Sequence, residues 1–159
     1  MITDTITQTE SKNIKIRSPK DLINILTAFY SNIKKAETQE IFSVVCLNAN
    51  LEITALKIVS IGTLSNCLIH AREIFKAVIE NNGHSFITVH NHPSGNTKPS
   101  EEDTQTYKEI LKASFIMGLK LNDNIIISKT GYFSFKEYGL EEEIQNSIFE
   151  NPYFEMYKN

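Results

Sequence analysis

Leu22, Ile25, Leu26, Phe29 and Ile33 fall at i, i+3, i+4, i+7 and i+11, which is the spacing of one apolar helix face. Ser18-Pro19-Lys20-Asp21 stands just ahead of them, with Ser as N-cap, Pro at the first helical position and Asp in the first turn. The rhythm then changes. Ile41–Leu47 is a run of β-branched and aromatic residues bounded by Asn48-Ala49-Asn50, and a second such run covers about 53–61, so the two read as a hairpin. Gly62 breaks the pattern. Helical spacing returns over about 70–82 through Ile74, Phe75, Val78 and Ile79, with Gly83 placed as its C-terminal stop. Phe86-Ile87-Thr88-Val89 is nearly continuous in apolar character, as a strand covered on both faces should be. A Pro/Gly-rich loop, 93–99, leads to a helix from Ser100 to about Met117 that Gly118 ends. Ile125-Ile126-Ile127 and Tyr132-Phe133-Ser134-Phe135 read as two final strands.

The ends are less patterned. Residues 1–13 hold little to bury and read as a flexible tail or an added edge strand. Residues 141–159 are acidic and aromatic, reading as a helix followed by loose chain, with Phe149, Tyr153, Phe154 and Tyr157 as a candidate contact surface. Strands alternating with helices predict a single α/β layered domain over 14–140, between those two tails.

Composition narrows the function classes. The chain has 159 residues, 41% hydrophobic and 22% charged, the balance of an ordinary globular domain. A net charge of -3 argues against nucleic-acid binding through a basic surface. Cys46 and Cys67 are too few for a disulfide scaffold or a Cys-rich zinc site, and both sit in apolar surroundings that suit small buried thiols. No stretch approaches a membrane span, and the N-terminus lacks a secretory signal, so a cytoplasmic protein is expected.

Chemistry concentrates in His90-Asn91-His92-Pro93-Ser94-Gly95 and the following Ser100-Glu101-Glu102-Asp103. On a strand, i and i+2 share a face, so His90 and His92 present two imidazoles together. Pro93 turns the chain outward beyond them. Asp103 lies in the first turn of the next helix, so strand end and helix start converge on three ligands with a fourth place open to water, as in catalytic zinc sites. Taken alone, Ser100-x-x-Asp103 is a helix-capping motif. A hydrolytic site also needs a base; Glu37, Glu40 and Glu52 flank the first strand pair, and Glu40 is preferred because it opens the strand. His70 and His84 read as structural.

His90-x-His92-Pro93, Ser100-x-x-Asp103 and an upstream Glu resemble the JAMM motif of the JAB/MPN metal-dependent isopeptidases, and more closely the bacterial RadC family. Gln39-Glu40-x-Phe42, Gly62-Thr63-Leu64, Arg72-Glu73-Ile74-Phe75 and Ser134-Phe135-x-Glu137-x-Gly139 extend the likeness over about 14–140. The resemblance implies an α/β, cytidine-deaminase-like (JAB/MPN) three-layer sandwich with a mixed central sheet and one zinc. It implies His90, His92 and Asp103 as ligands, Glu40 as general acid/base, and Ser100 as a hydrogen-bond donor to the developing oxyanion. The reaction implied is hydrolysis of an amide or isopeptide in a protein or peptide substrate.

Some positions depart from the pattern. Members commonly have Pro where this chain has Ala71, and His where it has Asn124, which removes an imidazole from the expected surroundings of a ligand. The family's usual helix-hairpin-helix segment has no room in 159 residues, so a stand-alone catalytic module without intrinsic DNA contact is expected. Two other readings compete: a non-catalytic module that recognises a protein partner, and a DNA-associated accessory protein. An HNH nuclease spreads its residues over a ββα unit, whereas these are contiguous. Nucleobase deaminases need His-x-Glu and Pro-Cys-x-x-Cys, neither of which occurs.

Overall fold

Ser85–Asn91 is buried along its whole length, and the other elements are layered around it. The computed structural model describes residues 14–62 and 69–158; the readings for 1–13, Thr63-Leu64 and Cys67 lie outside them. In chain order the strands are β1 Glu40–Leu47, β2 Ile53–Gly62, β3 Ser85–Asn91, β4 Lys120–Ser128 and β5 Gly131–Ser134. The helices are α1 Pro19–Ser31, α2 Ala71–Glu80, α3 Glu101–Met117, α4 Leu140–Phe149 and α5 Pro152–Glu155, with a short 3-10 turn at Lys34–Glu37. The sheet order is β2-β1-β3-β4-β5. β3 and β4 are parallel and every other pair is antiparallel, so the sheet is mixed, as expected.

Alternation along the strands sorts two cores. Ile87 and Val89 pack toward Leu22, Leu26 and Phe29 of α1. Phe42, Val44 and Phe86 pack with Ile74, Val78, Tyr107 and Ile110, under α2, α3 and α4. Helix, sheet and helices therefore form the predicted three layers. Among the described residues no helix is long and apolar enough to cross a membrane. Cys46 is fully buried, and that burial pushes its thiol up to about 12, so it behaves as a small apolar residue.

Several boundaries differ from the periodicity. The helix of 70–82 ends at Glu80, and the left-handed residue is Asn82, with φ 53°. Gly83 is needed for space instead, because a Cβ there would lie 2.7 Å from Val78 Cγ1. Ile79 is 56% exposed, so the apolar stripe of α2 is narrower than its composition. The end of the chain is not loose: α5 follows α4 and buries Phe154, while Phe115 lies over Phe149. Tyr153 remains exposed.

β4 begins five residues before its Ile triplet, and its polar start is buried but satisfied. Asp123 accepts from Ser134 Oγ at 2.6 Å and from the Asn124 and Lys136 amides. Nearby, among the described residues, Tyr107 Oη and Glu141 Oε2 are buried without hydrogen-bond partners. Burial raises the Glu141 carboxyl above its usual range; Asp123 adds to this, and Lys136 and Lys120 oppose it. A raised carboxyl favours folding while protonated and disfavours it once ionised, so its penalty grows as pH rises. Glu141→Gln should therefore raise the thermal midpoint at pH 7. The gain should shrink toward pH 4; an equal gain at both pH values in calorimetry contradicts this account.

Candidate metal centre

The site stands where β3 stops and α3 starts. Even-numbered residues of β3 face α3, which puts His90 there, 1% exposed, with Phe42 stacked beside its ring. Pro93 ends the strand and a turn closes with Gly95 N–H donating to His92 O at 3.1 Å. Ser100 then caps α3: its Oγ accepts from Asp103 N–H at 3.0 Å, and the Asp103 carboxylate accepts from Ser100 N–H at 2.8 Å. This reciprocal box aims the other carboxylate edge at the strand end. The capping reading of Ser100-x-x-Asp103 is thus met, and the same arrangement sets the Asp103 carboxylate beside the two imidazoles.

His90 Nε2 and His92 Nε2 lie 3.0 Å apart. Asp103 Oδ1 is 3.0 Å from His90 Nε2, and Oδ2 is 3.3 Å from His92 Nε2. His92 Nδ1 is 2.6 Å from the Asn96 carbonyl, an acceptor only, so that nitrogen carries the proton and Nε2 of the neutral ring keeps its lone pair. Gly95, beside Asn96, is anchored in turn by Ser128 Oγ and Thr130 Oγ1, which both donate to its carbonyl. Burial lowers the proton affinity of His92. The Asp103 and Asn96 bonds and the charges of Asp103 and Glu40 outweigh it and leave the ring raised. For Asp103, burial pushes the carboxyl up, but the two imidazoles and the Ser100 amide hold it well below the usual carboxylate range.

Two imidazole nitrogens and a carboxylate gathered this closely could hold a cation. A tetrahedral ion with bonds of about 2.0–2.1 Å has ligand-to-ligand edges of about 3.3 Å. Here the two Nε2 atoms are 3.0 Å apart, one Asp103 oxygen is 3.0 Å from His90 and the other 3.3 Å from His92, and one ligand atom from each residue lies within 4.8 Å of the others. His90, His92 and Asp103 are also the group of chelating side chains found among the described residues.

The candidate bases separate by position. β1 pairs with β3 so that Phe42 opposes His90, and the same register carried on sets Glu40 opposite His92. Glu37 is exposed on the 3-10 turn, across a cleft from His92. Glu52 is bound to Asn48 at the β1–β2 turn, the far end of β1. Asn124 lines a narrow void with His90 and Asp103 that has no room for water, and accepts from Thr88 Oγ1 at 2.8 Å. His90 Nδ1 is buried there without a partner among the described residues. His70 is the N-cap residue of α2, without a side-chain capping bond, and His84 is exposed.

Asn91, between the two histidines, escaped the sequence reading. It points to the other face, where Oδ1 accepts from Ile41 N–H at 2.7 Å. Its Nδ2 donates to Ala36 O at 2.9 Å and Gln39 O at 3.1 Å. Glu40 is thereby bracketed through both neighbours. The contacts are 50 or more residues away in sequence, so no local signal announces them.

The sequence profile of the RadC-like JAB domain matches residues 16–140. The chain belongs to that family. This RadC-like JAB domain is 41% identical over 131 residues to a UPF0758 protein of Caldanaerobacter subterraneus subsp. tengcongensis, covering 82% of this chain and 54% of that protein. It is 41% identical over 128 residues to one from Pelodictyon phaeoclathratiforme, covering 80% and 56%. A third, from Chlorobium luteolum, is 39% identical over 132 residues, covering 83% and 57%. The RadC-like JAB domain described here thus spans little more than half the length of the curated relatives it matches.

Proposed function

We propose that this domain is a zinc-dependent metallopeptidase or isopeptidase that hydrolyses an amide bond of a protein or peptide. The observation that carries the reading is the His90–His92–Asp103 cluster, which gathers two imidazole nitrogens and a carboxylate within 4.8 Å of one another. Zinc held there would supply Lewis acidity, polarising a carbonyl and making water easier to deprotonate.

The chain's own groups divide the remaining work. The Asn96 carbonyl holds His92 in the tautomer that leaves Nε2 free. The Ser100 amide fixes the Asp103 carboxylate. Glu40 would take the proton of the attacking water and give it to the leaving amine; its place on the histidine side of β1 supports this. Ser100 Oγ accepts from Asp103 N–H, which leaves its hydroxyl proton to donate toward a carbonyl oxygen.

The test is a screen of the zinc-loaded chain against peptide and isopeptide libraries read by mass spectrometry. Cleavage should appear with zinc and vanish with a chelator. A domain that holds zinc and cleaves nothing sinks the peptidase reading. That outcome favours a non-catalytic partner-binding module, which the amide of Asn124 beside His90 would suit.

A further inference from the structure

On the α1 side of His92 lies a cleft of about 220 Å³, lined by Thr27, Tyr30, Ala36, Pro93 and Ile127, with His92 as the wall it shares with the metal centre. We infer that this cleft is a specificity pocket that takes an aliphatic or aromatic side chain carried next to the scissile amide. The inference rests on the peptidase reading and adds the substrate class to it.

Four observations support it. Its size is below the usual range of about 300–1,000 Å³ for whole-ligand sites, so it suits one side chain of a longer chain. Its lining is in large part apolar, with Tyr30, Ala36, Pro93 and Ile127; the Tyr30 hydroxyl is turned away on Ile41 O, Ser43 Oγ and Val89 O, so the ring is what the cleft meets. The walls are fixed before any ligand arrives, since Asn91 Nδ2 holds the Ala36 carbonyl at 2.9 Å and Ser128 Oγ holds that of Gly95 at 3.1 Å. The charged groups on the lining, Glu37 and Lys129, are of opposite sign and exposed, so neither a cationic nor an anionic side chain is selected. His92 lines the cleft while its Nε2 is 3.3 Å from Asp103, so the cleft borders the cluster that would meet the scissile carbonyl.

Calorimetry with capped amino-acid hydroxamates tests this without relying on turnover. The hydroxamate chelates zinc whatever side chain it carries, so differences report the cleft. On the zinc-loaded chain, N-acetyl-leucine hydroxamate should bind about tenfold more tightly than the glycine analogue, as burial of one aliphatic side chain allows. The glutamate analogue should gain nothing over glycine. Ala36→Phe, which fills the cleft and touches no ligand, should erase the leucine advantage and leave zinc content and glycine affinity unchanged. Equal affinities for leucine and glycine probes overturn the pocket while the metal centre stands. Should the chain take up no zinc, the peptidase reading fails separately. N-acetyl-leucine amide on the metal-free chain then decides: amide shifts confined to the segments around Ala36 and Ile127 sustain the cleft, and their absence overturns it.

Discussion

Replacing His90 or Asp103 by alanine is expected to take the protein from about one zinc per chain to none, measured by elemental analysis after gel filtration. The expectation follows from how the site is held. His90 and Asp103 are 1% and 2% exposed, so neither can be replaced by a neighbouring side chain without rearranging the core. Three protein ligands are the minimum of catalytic zinc sites, and deleting one leaves two donors facing open solvent positions. Asp103→Ala should have a second effect, because it also removes the carboxylate that caps Ser100 N–H at the start of α3, at a cost of about 0.5–2 kcal/mol. His90→Ala leaves that cap intact. Asp103→Asn keeps the capping acceptor and removes the charge, so it should lose zinc while recovering most of the stability that Asp103→Ala forfeits. Zinc retained at wild-type stoichiometry by both His90→Ala and Asp103→Ala would falsify the proposed centre.

How much of this was legible in advance depends on how local the signal is. The cluster was readable because His90 closes the strand's inner face with His92 just past its end, and Asp103 sits in a helix's first turn; strand period and helix capping together bring the three to a point. The same holds for α1, whose apolar stripe and end residues agree, and for the two ends of α3. Legibility fails where polar residues are satisfied at a distance. The start of β4 falls outside the strand that the Ile triplet announces, since Asp123 and Asn124 are poor strand residues, yet Ser134 and Thr88 complete their hydrogen bonds from other strands. Asn91 resembles a spacer between histidines until β1 is laid beside β3. The cleft beside His92 is assembled from α1, the 3-10 turn, the end of β3 and the end of β4, so no window of sequence contains it. α5 is too short for periodicity, and only its packing under Phe154 makes it an element.

Glu40→Gln should leave zinc content and thermal stability near those of the wild type and lower any amide hydrolysis by about 10²–10⁴-fold, the usual worth of a positioned general acid/base. Gln matches Glu in shape and keeps a hydrogen-bonding end, so the substitution isolates the ability to carry a proton. Position supports the choice over its neighbours. Carried two residues past the Phe42–His90 pair, the β1–β3 register sets Glu40 opposite His92, and its charge raises that imidazole. Asn91 fixes the peptide on either side of it, which limits how far the carboxylate can drift. Glu37 sits on an exposed turn without such support, and Glu52 is at the opposite end of β1. Glu37→Gln and Glu52→Gln should accordingly change rates by no more than about twofold, as surface substitutions do. Comparing kcat with KM sharpens the reading, because a residue that acts in the proton transfer lowers kcat and kcat/KM together, whereas one that only binds substrate raises KM. If Glu40→Gln cleaves as fast as the wild type and Glu37→Gln does not, the proton is handled from the cleft side of His92, and the assignment of Glu40 is wrong.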